Sequence, residues 1–205
     1  MRILSFKELV DTLSGRPPRL GDTRLVAVDG RSGSGKSTFA GRLAEAAQEK
    51  FTDVALIHTD DLLPGWVHPT GFADNLDNWV LRPLKDREPA SYPTYDWVAD
   101  RFRDTWSDIG RPALLIVEGV TTAAARFRPW LSYAAWVRTD AAECLRRGIE
   151  RDGEAMRGEW DIWREREVDI LAADDIESHA DLIVDGAPDI AHDPAAECVV
   201  IDAKP

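Results

Sequence analysis

Apolar residues along the chain come in two alternating rhythms. Short runs without polar interruption, LVAVD (25–29), VALIH (54–58), ALLIV (113–117), YAAWV (133–137) and DLIVD (181–185), have the length and branched composition of strands buried on both faces. Between them lie stretches of helical period. Ser5 and Glu8 have capping-box spacing ahead of Phe6, Leu9, Val10 and Leu13, which predicts a short helix ending at Gly15. Lys36–Lys50 reads as a helix with Phe39, Leu43, Ala46 and Ala47 inward; Asp140–Arg151 as one with Leu145 and Ile149 inward; Glu159–Ala173 as a charged one. Residues 60–98 are rich in tryptophan and proline and show helical period only around Asn75–Leu84. ECVVID (197–202) adds an edge strand. Strands alternating with helices predict an α/β domain with a five-stranded parallel core sheet covered on both faces, one domain over residues 1–205.

Charge and composition narrow the partners. A net charge of −12 over 205 residues disfavours a polynucleotide, although local donors can still hold a small phosphorylated ligand. The 44% hydrophobic content is enough for a full core. No apolar run reaches the 18 or so residues of a membrane span, and the start of the chain does not read as a signal peptide. Cys144 and Cys198 have no metal-site spacing and read as buried, reduced thiols, so a cytoplasmic location is expected. Oligomeric state is left open, a homo-oligomer included.

One segment carries explicit chemistry. Gly30-Arg31-Ser32-Gly33-Ser34-Gly35-Lys36-Ser37, followed by Thr38, fits G-x-x-x-x-G-K-[ST] and lies between a buried strand and a helix. A polyphosphate needs inward-facing backbone N–H groups, hence glycines, and a helix N-terminus pointing at it. Lys36 spans the β- and γ-phosphates in such a loop, and the Ser37 hydroxyl ligates Mg²⁺. No N-K-x-D guanine-reading tetrad is present, and the chain is too short for a helicase core. Two carboxylate sites follow the ends of other strands: Asp60-Asp61 after VALIH, and Glu118 after ALLIV. Asp60 or Asp61 suits a base for an acceptor hydroxyl, and Glu118 a metal-side carboxylate.

The order of these motifs resembles the uridine kinase and phosphoribulokinase-like group of P-loop kinases: the loop, then Asp60-Asp61-Leu62-Leu63, Tyr95-Asp96-Trp97, Val117-Glu118-Gly119, Arg146-Arg147…Arg151-Asp152, and Ala180-Asp181-Leu182-Ile183-Val184. The resemblance implies a three-layer P-loop NTPase fold with a small arginine-bearing lid at about 150–163 and an acceptor segment at about 60–98. It implies ATP-dependent phosphorylation of a small-molecule hydroxyl, a nucleoside first, with ATP rather than GTP as donor. It implies Asp60 as base, Ser37, Asp60 and Glu118 around Mg²⁺, and Arg147, Arg151 and Arg157 closing on the phosphates. Gly30, Ser32, Gly33, Ser34, Gly35, Lys36, Ser37 and Thr38 would hold the nucleotide, and Asp61, Trp66, Tyr95, Asp96 and Trp97 the acceptor. A sugar or cofactor-precursor kinase, or a nucleotide-binding module without catalysis, are the alternatives. Two departures stand out: the histidine that follows Y-D-x-x-x in the group is missing, with Ala99 and Asp100 in that neighbourhood, and Arg157-Gly158-Glu159-Trp160 replaces an R-G-R ending.

Eight tryptophans are many for this length. Trp66, Trp79 and Trp97 fall in the acceptor segment and Trp160 and Trp163 beside the lid, where indole rings can stack on a planar acceptor or simply pack. Trp106, Trp130 and Trp136 are expected to be packing residues. The four histidines show no ligand spacing; His68 is the one placed to face an acceptor.

Overall fold

A computed structural model describes residues 1–65 and 69–204. The elements run β1 (Arg2–Ser5), α1 (Phe6–Gly15), β2 (Arg24–Asp29), α2 (Lys36–Ala47), β3 (Val54–His58) and α3 (Ala73–Leu76). A π turn over Asp77–Leu81 leads into α4 (Arg82–Lys85), then β4 (Ala90–Asp96), β5 (Arg101–Gly110), β6 (Leu114–Glu118) and β7 (Leu131–Arg138). The chain continues with α5 (Ala141–Asp152), α6 (Arg157–Asp174), α7 (Ile176–His179), β8 (Leu182–Asp185) and β9 (Glu197–Ala203).

The main sheet has the order β1-β9-β8-β7-β2-β6-β3. Its five expected strands, β3, β6, β2, β7 and β8, are all parallel. Two further strands extend it. The 197–203 strand is not at the edge: it lies antiparallel between β8 and β1, and the edge is formed by Arg2–Ser5. Four residues ahead of a helix cap are too short for a period-2 signal, so β1 could not be read from its own pattern.

Successive residues of the central strand serve opposite layers. Val26 and Val28 face α1 and α2 through Phe6, Leu9, Phe39 and Leu43. Leu25 and Ala27 face the helical stretch of α3 and α4, with Phe72, Leu76, Val80 and Leu84, and on the same side Phe127, Trp163 and Leu171. A strand flanked this way has no polar face, which is why its sequence is continuously apolar. The capping box of α1 is complete, Ser5 and Glu8 bonding each other's backbone.

The helix expected at 75–84 exists but is broken. Pro83 has no N–H to give to the preceding turn, and the backbone takes a π turn just before it. The 60–98 segment also holds a strand: β4 pairs with β5 in a separate two-stranded hairpin that continues to Gly110. Trp106 on this hairpin is 54% exposed, edge-on to Trp79, and so is not the interior packing residue its sequence suggested. Trp136 is buried in the core, and Trp130 packs against it, partly buried. The buried positions of α5 are Cys144 and Gly148, one step off the expected Leu145 and Ile149, because the helix meets its neighbour through Gly148.

Candidate active site

The loop between β2 and α2 turns in a way that only small residues allow. Gly33 has φ +81, and a Cβ there would lie 2.3 Å from the Cys144 carbonyl oxygen, so the loop sits directly on the start of α5. Gly35 caps α2 at φ +102, leaving the first N–H groups of that helix free of any side-chain cap. Lys36 is buried, and its Nζ donates to the Arg31 carbonyl, 2.9 Å away, folding the side chain over the loop.

Carboxylates converge opposite it. β3 and β6 are parallel neighbours in register, with His58 beside Glu118, so both strands deliver their last residues to one end of the sheet. Glu118 is buried; its Oε1 accepts from Ser37 Oγ at 2.9 Å and contacts His58 Nδ1 at 2.6 Å. Burial alone would raise Glu118, but the His58 hydrogen bond, the Lys36 charge and the Ser37 hydrogen bond together draw it below the usual carboxylate range. Asp60 follows in a short 3-10 turn, Thr59–Asp61. Asp60 borders the cleft and is exposed at its surface yet densely surrounded by protein; desolvation, followed by the Glu118 charge, lifts its pKa, while Lys36 and Arg151 oppose the rise. Asp61 is lifted as well, mainly by desolvation.

Asp29, at the end of β2, is fully buried. Its oxygens accept from the N–H groups of Gly30, Thr121 and Ala123, tying the phosphate-type loop to the loop after β6. Burial pushes Asp29 up to about 6 against the pull of those donors and of Lys36.

These groups line a cleft of about 690 Å³, floored by Gly33, Gly35, Lys36 and Ser37 and walled by Asp60, Glu118, Trp97, Arg147, Arg151 and Trp163. A second cavity of about 610 Å³ adjoins it, sharing Gly35, Thr38 and Arg147 and bounded by Arg42 and the loop at Asp185–Asp189. Arg147 bridges the two, donating to Glu143 at 2.7 Å and to the Gly186 carbonyl at 3.0 Å. Arg151 is held by Asp152 at 2.7 and 2.9 Å, and its charge is felt at Asp60 and Glu118.

Not every expected residue arrives. Arg157 is exposed, pairs with Glu154 and does not line the cleft. Tyr95 is buried and donates its hydroxyl to Asp100, and Asp96 accepts from the backbone of Val98 and Ala99 and pairs with Arg103. Of that triplet only Trp97 reaches the cleft. Trp160 and Trp163 are buried and serve packing and hydrogen bonding more than stacking. Trp66 and His68 lie outside the described residues. Three contributors carry no sequence signal of their own: His58, Asp29 and Glu167, whose carboxylate accepts from the Ser32 N–H at 2.7 Å. The apolar strand ending in histidine, beside a second ending in glutamate, is the nearest thing to a clue for His58.

Among the described residues no three His, Cys, Asp or Glu side chains form a ready-made metal cage. Hard oxygen donors at Ser37, Glu118 and Asp60 nonetheless suit Mg²⁺, which takes one or two carboxylates and completes its shell with phosphate and water.

No protein-family model matches the chain. In sequence it is similar to curated proteins named uridine kinase. It is 26% identical over 138 residues to that of Borrelia duttonii (strain Ly), covering 63% of this chain and 67% of that one. It is 27% identical over 156 residues to that of Latilactobacillus sakei subsp. sakei (strain 23K), covering 67% and 70%. In three dimensions it is similar to a possible uridine kinase from Bacillus stearothermophilus, with TM-score 0.64, 18% identity and coverage of 87% and 96%. It is also similar to a candidate fructose transport system kinase from Silicibacter sp. TM1040, with TM-score 0.66, 20% identity and coverage of 82% and 95%. The chain resembles the uridine kinase-like P-loop kinases and has their fold. No helix among the described residues is long and apolar enough to cross a membrane.

Proposed function

We propose that the protein is an ATP-dependent phosphotransferase acting on a hydroxyl of a small molecule, with nucleosides the first acceptor class to test. The observation that carries this reading is the convergence, at one end of the sheet, of Lys36 and Ser37 from the loop with Glu118 and Asp60 from two neighbouring strand ends. A phosphate-binding loop alone needs no such partners; phosphoryl transfer does.

In this reading the triphosphate lies over Gly33–Ser37, and the base and ribose occupy the adjoining cavity between Arg42 and the 185–189 loop. Ser37, Glu118 and Asp60 would hold Mg²⁺, which neutralises charge on the phosphates when bound. Asp60 accepts the proton of the attacking hydroxyl. Its place at the end of β3, facing the cleft beside Lys36 and Glu118, is what suits it to that role. Lys36, Arg147 and Arg151 supply positive charge where the transferring group becomes more negative. Trp97 forms the outer wall on the acceptor side. Two buried, unpaired thiols suit the cytoplasmic location that this chemistry implies.

The test is ADP release from Mg-ATP across a panel of nucleosides and small polyols. One class should stimulate release, and Asp60→Asn should abolish the stimulation with nucleotide binding retained. No stimulation by any acceptor, together with indifference to Asp60→Asn, would leave a nucleotide-binding module and overturn the kinase reading.

A further inference from the structure

The inner face of α6 is built from Trp160, Trp163, Glu167 and Leu171, spaced three to four residues apart. Three of these are apolar; the fourth is a carboxylate with only 1% of its surface exposed. A charge at a core position is costly unless it is paired, so what it touches matters. Glu167 Oε1 accepts from the Ser32 N–H at 2.7 Å, and Oε2 lies 3.8 Å from the Arg31 guanidinium. One turn earlier, Trp163 donates its indole N–H to Ser32 Oγ at 2.8 Å. Two side chains of one helix thus hold both the main chain and the side chain of a single loop residue, 131 and 135 positions away in sequence.

The same helix leads out of the lid corner. α5 ends at Gly153, where φ is +91, a short 3-10 turn covers Glu154–Met156, and α6 follows at once. Trp160, at the start of this inner face, packs on Gly148 and donates to Asp152, which holds Arg151. Loop and lid arginine are therefore attached to one rigid element.

We propose that Glu167 is a positioning residue that, with Trp163, clamps Arg31–Ser32 to α6 and so sets the curvature of the phosphate loop and its alignment with the lid. This rests on the kinase reading for its consequence in turnover, but not for the clamp itself. With the Ser32 amide committed to Glu167 and the Ser34 amide to the Arg31 carbonyl, the anion is left to Gly33 and the N–H groups from Gly35 onward, and the loop is held in one shape before nucleotide arrives.

The experiment compares wild type, Glu167→Gln, Glu167→Ala and Trp163→Phe by amide hydrogen exchange of the nucleotide-free protein and by calorimetric binding of Mg-ADP. A hydrogen bond to a charged acceptor is worth roughly one to two orders of magnitude in an equilibrium constant. Glu167→Ala should speed exchange over residues 31–33 with the central strands unaffected, and weaken Mg-ADP about tenfold or more. Its KM for ATP should rise more than its kcat falls. Glu167→Gln keeps an acceptor oxygen but loses the charge, and should bind more tightly than Glu167→Ala and within about tenfold of wild type. Trp163→Phe should fall between. The proposal is overturned if Glu167→Ala binds Mg-ADP like wild type, or if Glu167→Gln is as impaired as Glu167→Ala. It is equally overturned if binding loss merely tracks a fall in folded fraction with exchange at Ser32 unchanged. Failure of the wild type itself to bind Mg-ADP would sink the kinase reading, and the exchange data would still decide the clamp.

Discussion

Replacing Gly148 by alanine adds one methyl group where α5 meets α6. A Cβ built there would stand 2.3 Å from Cζ2 of Trp160, 2.5 Å from Cη2 and 2.6 Å from Cε2. Real Cβ contacts essentially never fall below 3.0 Å and ordinary contact begins at 3.4 Å, so the ring must retreat by at least 0.7 Å, and by 1.1 Å to reach ordinary contact. Trp160 is 1% exposed, is tied to Asp152 and borders the cleft, so the ring either carries α6 with it or shifts toward the cleft. Overpacking of this kind costs about 1–3 kcal/mol. Alanine in place of glycine inside a helix returns about 1 kcal/mol, which leaves a net loss of up to about 2 kcal/mol. For a chain of this size that is about 2–4 °C of melting temperature per kcal/mol. Function should suffer more than stability. Trp160 holds Asp152 at 3.0 Å, and Asp152 holds Arg151 beside the cleft. On the proposed kinase reading Arg151 stabilises the transferring phosphoryl, and a misplacement of an ångström there costs about a hundredfold in rate. Gly148→Ala is therefore expected to melt a few degrees low and bind Mg-nucleotide nearly normally, yet lose most of its acceptor-stimulated ADP release. Thermal melting and a coupled ADP assay read the two quantities separately. A variant that melts within about 1 °C of the native protein and turns over at the native rate would show that the ring has slack and that Arg151 is not indexed by this contact.

The remaining expectations concern groups around the cleft. His58 is raised above its usual 6.5 by its hydrogen bond to Glu118. Its contribution is complete below pH 6.5 and is lost as pH climbs through the folded-state value; Glu118, depressed from 4.5, contributes above pH 4.5 and is lost on acidification. His58→Gln should therefore flatten the alkaline limb of the melting-temperature profile, and parallel profiles for variant and wild type between about pH 6 and 9 would refute the pairing. Tyr95→Phe removes the hydroxyl that meets Asp100 at the hairpin turn, so the protein should melt lower with kcat unchanged. A large loss of kcat would instead put Tyr95 in contact with the acceptor.

The parts of this molecule that could be read from the chain are those in which the local pattern and the final environment agree. LVAV and ALLIV are apolar throughout because helices cover both faces, and the loop motif is rich in glycine because the backbone must turn at positive φ and lie bare to an anion. Legibility fails where a residue acquires its role from a distant partner. Asp29 resembles any strand-ending aspartate until the loop after β6 brings Thr121 and Ala123 to it, some ninety positions later. Glu167 sits in a run of charges, RERE, and nothing local tells its buried carboxylate from the exposed ones around it. Tyr95-Asp96-Trp97 shows the opposite failure. Its motif was legible, but two of its three side chains hold a hairpin turn, because a tight reversal of chain also favours an aspartate that accepts backbone N–H groups.

The charge balance of the cleft links the acidic composition to the kind of ligand it takes. A net charge of −12 is felt over a screening length of about 8 Å, whereas the loop amides, Lys36, Arg147 and Arg151 act within hydrogen-bonding distance of a bound phosphate. The local donors can therefore win against the global sign, but not by a wide margin, since Asp60 and Glu118 face the same space and Asp29 lies just beneath. A nucleotide whose phosphates already carry a divalent cation meets far less repulsion from those carboxylates than a bare one. On the acceptor side the balance tips further. Asp60 and Asp61 stand together, and the nearby Arg103 is engaged with Asp96. A phosphorylated acceptor would bring its own negative charge against that pair, with its neighbouring guanidinium already spoken for. On the proposed kinase reading, an uncharged polyhydroxy compound, such as a nucleoside, would place only a hydroxyl there and avoid that repulsion.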